Sequence, residues 1–327
     1  MAALTGRGCE PAPQHKASPS GAASTTTETR DMLKGVYPIL ATCFDADGAI
    51  DYGSQKRLIE FCLDGGAHGL VMLANASEGH LLSEEEKRSL TEFGLREVAG
   101  RAPVIVTVNH PSASAASSMA VFARDLGASA AMMLPPFFGR WRPGLDEIRR
   151  YFEILDAVGL PLVVQDHALS DLNLPVPFLV ELANSVPHIE YLKLESGNII
   201  HKARRLLATS GDGLKGVFGG NSGVFLPEEH DAGCRGTMPA CYMPDVFRKT
   251  WDLLQSGDRD EALDYFAPFS RLAAYEKDVC NRCVWKELLV ARGIIACGAV
   301  REPRPAFADN WQIEQLMGVA RSCGLIG

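Results

Sequence analysis

The chain has 327 residues, of which 46% are hydrophobic and 22% charged, with a formal net charge of −8. This supports one large domain with a sizeable core and argues against nucleic acid as a partner. No apolar run reaches the ~18 residues of a membrane span, no signal peptide is visible, and nine cysteines without small-scaffold spacing read as reduced thiols in a cytoplasmic protein.

Residues 1–33 are rich in Ala, Ser, Thr and Pro and lack an apolar run, which predicts a disordered tail. Glu10, Glu28 and the scarcity of arginine count against a transit peptide there. Short apolar runs then begin near Val36, Gly69, Pro103, Ala130, Pro161, Ile189, Leu214 and Arg235. Helical periodicity separates them, as over Ser83 to Val98 and Ser112 to Leu126. Ser83 and Glu86 have capping-box spacing. Three helix-to-strand joints share a pattern: Gly66-Ala67-His68-Gly69, Gly127-Ala128-Ser129-Ala130 and Gly233-Cys234-Arg235-Gly236. A glycine there can end the helix in a left-handed conformation. Eight strands alternating with helices predict an α/β chain, a (β/α)8 TIM barrel over residues 34–243. A doubly wound open sheet is the competing fold, and the lack of a Gly-x-Gly-x-x-Gly or P-loop after the first strand weakens it. Four helices follow over 244–327, at Asp245 to Gln255, Asp260 to Ala274, Val284 to Arg292 and Trp311 to Ser322, as a C-terminal helical extension.

Metal chemistry has little support in the sequence. Cys280-Asn281-Arg282-Cys283 is an isolated Cys-x-x-Cys without a second pair, which does not make a zinc site. Neither His-Glu-x-x-His nor Gly-x-Ser-x-Gly occurs. The informative residue is Lys193, inside the strand-like run Ile189-Glu190-Tyr191-Leu192-Lys193-Leu194-Glu195-Ser196. A lysine is seldom buried, because its ammonium must then be paired or deprotonated. The deprotonated amine is a nucleophile that forms a Schiff base with a ketone.

Several motifs in order resemble the dihydrodipicolinate synthase and N-acetylneuraminate lyase family of Schiff-base lyases. They are Leu73-Ala74-Asn75-Ala76-Ser77-Glu78-Gly79 before Leu82-Ser83-Glu84-Glu85-Glu86, Leu134-Pro135-Pro136-Phe137-Phe138, and Lys193-Leu194-Glu195-Ser196-Gly197-Asn198. Gly233 to Gly236, Trp285-Lys286-Glu287-Leu288-Leu289 and Val300-Arg301-Glu302-Pro303 continue the likeness, which spans Leu33 to Gly327. The resemblance implies that Lys193 is the Schiff-base lysine, at the C-terminal face of the barrel where such active sites sit. It implies a homodimer or homotetramer, and chemistry that needs no metal and no organic cofactor.

The chain also departs from that family. Gln165 stands where the proton-shuttling tyrosine of the fifth strand is expected, and Phe137 and Phe138 replace the tyrosines of the fourth-strand loop. The arginine that binds a distal carboxylate in the synthase is absent from Ala168-Leu169-Ser170-Asp171. Asp166 and His167 are therefore the candidate proton-transfer residues, histidine being suited to acid–base work near neutral pH. His110 is a further candidate after the third strand. Asn75, Ala76 and Ser77 are expected to hold the substrate carboxylate, and Gln165, Phe138, Gly219 and Met238 to complete the pocket. Glu78 reads as a structural acid. Glu195 falls on the same side of its strand as Lys193 and either pairs with it or holds the next loop. Arg140 and Arg142 either reach an acidic substrate group or lie on the surface.

The expected function is a lyase, an aldolase or dehydratase, acting on a 2-oxo acid such as pyruvate or a 2-oxo-3-deoxy sugar acid, and not the lysine-pathway enzyme. The alternative is a catalytically silent barrel that binds a 2-oxo acid or serves regulation. Phe137, Phe138 and Trp141 form an apolar loop suited either to a subunit contact or to the pocket.

Overall fold

The computed structural model describes residues 33–279, 284–303 and 310–327. The expected tail up to residue 32 and the Cys280-Asn281-Arg282-Cys283 spacing lie outside the described residues. Strands and helices alternate as β1 Gly35–Val36, α1 Tyr52–Asp64, β2 Leu70–Met72, α2 Glu84–Val98, β3 Val104–Thr107, α3 Ala113–Asp125, β4 Ala130–Met133 and α4 Leu145–Asp156. They continue as β5 Leu162–His167, α5 Val176–Ser185, β6 Ile189–Glu195, α6 Ile199–Thr209, β7 Gly216–Gly219, α7 Leu226–Asp231, β8 Gly236–Thr237 and α8 Pro244–Ser256. Then come α9 Arg259–Asp278, α10 Lys286–Ala291 and α11 Asn310–Ser322.

All strand pairs are parallel, in the order β1-β8-β7-β6-β5-β4-β3-β2. The ring closes just past β1, where Leu40 donates to the Val71 carbonyl at 2.9 Å and Val71 to the Pro38 carbonyl at 3.0 Å. This is the (β/α)8 barrel that the alternating runs predict.

Local chemistry explains the joints. Gly66, Gly127 and Gly233 have φ of 78°, 92° and 91°, the left-handed ends expected of them. The Ser83–Glu86 capping box forms, with Glu86 N–H donating to Ser83 Oγ at 3.2 Å and Ser83 N–H to Glu86 Oε2 at 2.8 Å. At the seam, a Cβ on Gly236 would lie 2.0 Å from the Gly35 carbonyl oxygen, so only glycine lets β8 meet β1.

Side chains alternate across the strands. Val71, Ile105, Met132, Val163, Tyr191 and Phe218, one from each of β2 to β7, point inward and fill the barrel. Each such buried side chain is worth about 1.5–3 kcal/mol relative to exposure. The intervening residues, such as Val106, Val164, Leu192 and Leu194, face the helices in a second, larger core. Leu33 belongs to the barrel interior and its N–H donates to Tyr191 Oη at 3.0 Å, so the barrel begins one residue before the expected boundary.

Two more findings adjust the expected organisation. Helix α8 packs against α7, α1 and β1 and completes the outer ring, so the appended region starts at α9 and not at residue 244. Helix α9 runs to Asp278, a turn beyond the expected end at Ala274, and packs on the 3-10 turn Asn221–Gly223 that follows β7. Farther on, Lys286 pairs with Glu78, both buried, and Glu78 Oε2 accepts the Arg301 N–H at 2.7 Å. Glu78 is a structural acid tying the loop after β2 to the C-terminal region.

Candidate active site

Strand register assembles the site. In the β5–β6 ladder, Gln165 stands opposite Lys193 and His167 opposite Glu195. All four share the inward face, directly above the Val163, Tyr191 and Phe218 layer. Lys193 is 1% exposed, and its Nζ lies 3.0 Å from Glu195 Oε2. The Gln165 amide donates to that same oxygen, and the Asn221 backbone N–H donates to Oε1 at 3.1 Å. Burial alone would raise the Glu195 carboxyl. The Lys193 charge, His167, the Gln165 amide and the Asn221 N–H outweigh it and hold the group below its ordinary value.

Small and strained residues make room for this carboxylate. A Cβ on Gly220 would lie 2.4 Å from Glu195 Oε1. Asn221 and Ser222 follow with φ of 48° and 58°, left-handed values that cost energy in residues other than glycine. Behind them, Glu229 is fully buried and accepts the Gly220 N–H at 3.2 Å. Its burial pushes the carboxyl up to about 8, against the pull of the Thr237 hydroxyl and that N–H.

A cavity of about 470 Å³ opens over this cluster at the carboxyl ends of the strands. Asn75 and Ala76 line it from the loop after β2, Met238 from beyond β8, and Glu276 and Trp285 from the C-terminal region. His167 also faces the cavity, and its Nδ1 accepts the Leu169 N–H at 2.9 Å, so a neutral ring carries its proton on Nε2. Three buried polar atoms in this wall make no hydrogen bond: Asn75 Nδ2, Gln165 Oε1 and Glu276 Oε2.

The structure thus gathers Lys193, Gln165, His167, Asn75, Ala76 and Met238 around one cavity, and it places the other expected residues elsewhere. Asp166 is corrected: the residue between two inward-facing neighbours points outward. There it pairs with Lys202 and takes hydrogen bonds from Ser196 Oγ and, at 3.2 Å, from the Leu174 N–H. Gly219 is corrected as well. A Cβ there would lie 1.8 Å from the Glu229 carboxyl, so its space serves Glu229, and Gly220 is the residue that abuts the site. Ser77 is buried, with Oγ accepting the Ala74 N–H at 3.2 Å, outside the cavity wall. Phe138 is 73% exposed and turns away from the cavity through its bridge to Trp141. Arg142 stacks on Phe137 and donates to the Gly139 carbonyl at 2.7 Å, which leaves it a loop residue. His110 accepts the Ser112 N–H at 2.9 Å and lines a separate crevice beside α3.

Sequence reasoning did not commit Glu195 to the site and missed Ser222 and Glu276 outright. Period-two alternation from Lys193 is the signal that finds Glu195. Nothing local signals Glu276, which reaches the cavity through long-range packing of α9.

Comparisons with known proteins agree with this fold. The model of the Dihydrodipicolinate synthetase family matches residues 32–316. An L-2-keto-3-deoxyarabonate dehydratase of Azospirillum brasilense is 32% identical over 90% of this chain and 96% of its own length. A 4-hydroxy-tetrahydrodipicolinate synthase of Salinibacter ruber is 30% identical over 60% of this chain and 65% of its own. Among solved structures, a dihydrodipicolinate synthase of Rhodopseudomonas palustris superposes with a TM-score of 0.81 at 25% identity, covering 88% of this chain and 97% of that one. The prophage protein YagE of E. coli K12, solved in complex with pyruvate, gives a TM-score of 0.82 at 23% identity over 90% and 99% of the two chains.

Proposed function

The chain belongs to the dihydrodipicolinate synthetase family, and from that premise we propose that it is a class I lyase that forms a Schiff base between Lys193 and a 2-oxo acid and dehydrates a 2-oxo-3-deoxy sugar acid. The observation that carries the reading is a buried lysine with a single carboxylate, Glu195, 3.0 Å from its Nζ at the floor of an open cavity. The dehydratase from Azospirillum brasilense supports dehydration over aldol chemistry, because the match covers nearly the whole chain.

Glu195 does the work expected elsewhere of a phenol. It takes a proton from the Lys193 ammonium, and the free amine attacks the C2 ketone. Protonated Glu195 then gives that proton to the carbinolamine hydroxyl, which leaves as water and yields the iminium. The carboxylate next removes a C3 proton, the electron pair flows into the iminium, and an enamine forms. Protonated Glu195 assists departure of the C4 hydroxyl as water, and the pair returns to give a conjugated iminium. Hydrolysis frees Lys193, so the substrate has lost one net water. Asn75 Nδ2 is a donor for the C1 carboxylate, while Gln165 and His167 orient Glu195 between its proton transfers.

Borohydride trapping tests this. The intact protein incubated with pyruvate and borohydride should gain one reduced pyruvate adduct at Lys193, and a mass spectrum without it overturns the reading. Condensation of pyruvate with aspartate semialdehyde should be inefficient, since Gln165, Phe137 and Phe138 offer no phenolic relay. Exposed Phe138 and Trp141 support a homo-oligomer, at least a dimer. Among the described residues no helix is long and apolar enough to cross a membrane.

A further inference from the structure

We infer that Glu276, in the last turn of α9, is a substrate-binding residue that recognises a hydroxyl group on the carbon chain of the 2-oxo acid, so that the cavity selects hydroxylated chains over chains carrying a second carboxylate. The inference rests on the Schiff-base reading of Lys193 and adds to it which part of the substrate lies beside the C-terminal region.

Glu276 is 5% exposed, lines the cavity, and has an Oε2 without a hydrogen bond. Such an atom is rare in folded proteins and calls for a partner. Burial pushes this carboxyl up to about 7, while the Ser222 hydroxyl pulls it down. In its ionised form the bare oxygen accepts a hydrogen bond from a substrate hydroxyl.

The remaining unmet atoms sort a ligand by its ends. Asn75 Nδ2 is a donor, on the β2 side of the barrel mouth. Gln165 Oε1 and Glu276 Oε2 are acceptors, at β5 and against the turn after β7. One donor suits the C1 carboxylate. Two acceptors suit hydroxyl groups along the chain.

Charge among the described residues disfavours the dicarboxylate. Two lysines line the cavity among the described residues, and each is already paired: Lys193 with Glu195 at 3.0 Å and Lys277 with Asp278 at 2.9 Å. No described arginine lines it. A second substrate carboxylate near Glu276 meets two acidic side chains, Glu276 and Asp278, and no unpaired lysine or arginine among the described lining residues. A carboxylate so placed also loses its hydration without compensation.

The test compares three probes, pyruvate, 2-oxo-4,5-dihydroxypentanoate and 2-oxoglutarate, by half-saturating concentration for borohydride adduct formation in the full chain. Pyruvate carries no chain to contact Glu276. In Glu276→Leu, pyruvate trapping should stay within about twofold while the dihydroxy acid needs roughly tenfold or more higher concentration, the loss of one hydrogen bond to a charged group. Glu276→Gln keeps an acceptor oxygen and removes the charge. It should lose little for the dihydroxy acid and gain several-fold for 2-oxoglutarate. An unchanged ratio of dihydroxy acid to 2-oxoglutarate in Glu276→Gln overturns the inference, as does an equal shift for pyruvate and the dihydroxy acid in Glu276→Leu. Should the wild type trap none of the three, the Schiff-base reading has failed. Calorimetric binding of the dihydroxy acid to wild type and Glu276→Leu then decides this inference alone: about tenfold weakening supports it and equal binding overturns it.

Discussion

Two lysines stand on opposite sides of the same barrel wall, each buried against a carboxylate, and their surroundings differ. Lys202 bonds Asp166, Asn173 Oδ1 at 3.3 Å and Ser196 Oγ at 3.4 Å in the layer between strands and helices. Its partner Asp166 is filled in turn by Ser196 and Leu174. Every valence is used, and Asp166 lines no described cavity. Lys193 has Glu195, a neighbouring Gln165 oxygen without a partner, and an open cavity above. A buried ion pair is therefore not the mark of a site. Unmet hydrogen-bonding capacity beside free volume is.

Substitutions on the two sides should separate the pairs. The largest effect falls on Lys193. Lys193→Ala and Lys193→Arg should both abolish turnover and trapping with the fold intact, because a guanidinium stays protonated and cannot attack. Circular dichroism and adduct mass check this together, and an active Lys193→Arg would break the comparison. Glu195→Gln comes next, with turnover falling about 10²–10⁴-fold for loss of a general acid–base. Single-turnover kinetics should show the loss in the chemical step. Across the wall, Lys202→Met should act on stability instead. Stranding Asp166 should cost about 3–5 kcal/mol, read from denaturant midpoints, while turnover per folded molecule stays near wild type.

A subtler effect concerns Glu229. Its carboxyl sits at about 8 in the folded chain and near its ordinary 4.5 when unfolded. Between these values the folded state holds the extra proton, so stability falls as pH rises through the window, by at most about 1.4 kcal/mol per pH unit. Glu229→Gln should remove that slope and raise the melting temperature most near pH 8. A melting profile as steep as wild type would mean that Glu229 is already ionised. The smallest expected effect is at the exposed loop. Trp141→Glu should shift the light-scattering mass toward 35.3 kDa without altering pyruvate trapping.

Much of this was legible in the sequence, for physical reasons that also mark where legibility stops. Apolar runs and left-handed glycines are local, so the barrel could be read from them. Lys193 was legible because a charged residue interrupts an apolar strand. Side-chain parity was harder. Asp166 and Gln165 are adjacent, and only the pairing of Gln165 with Lys193 fixes which of them faces the cavity. The same one-residue step separates Gly219 from Gly220. Glu276 was out of reach, because its place depends on a helix end that runs a turn past the periodic pattern and docks on a distant loop.

The seam between β1 and β8 has a consequence for how the ring breathes. Those strands share two residue pairs, whereas β5 and β6 share six. Amide protection against deuterium should accordingly be lowest around Gly35 and Gly236 and highest along the Gln165–Lys193 ladder. The ring can part on one flank while the proposed reacting groups on the other keep their alignment, so transient opening need not disturb them.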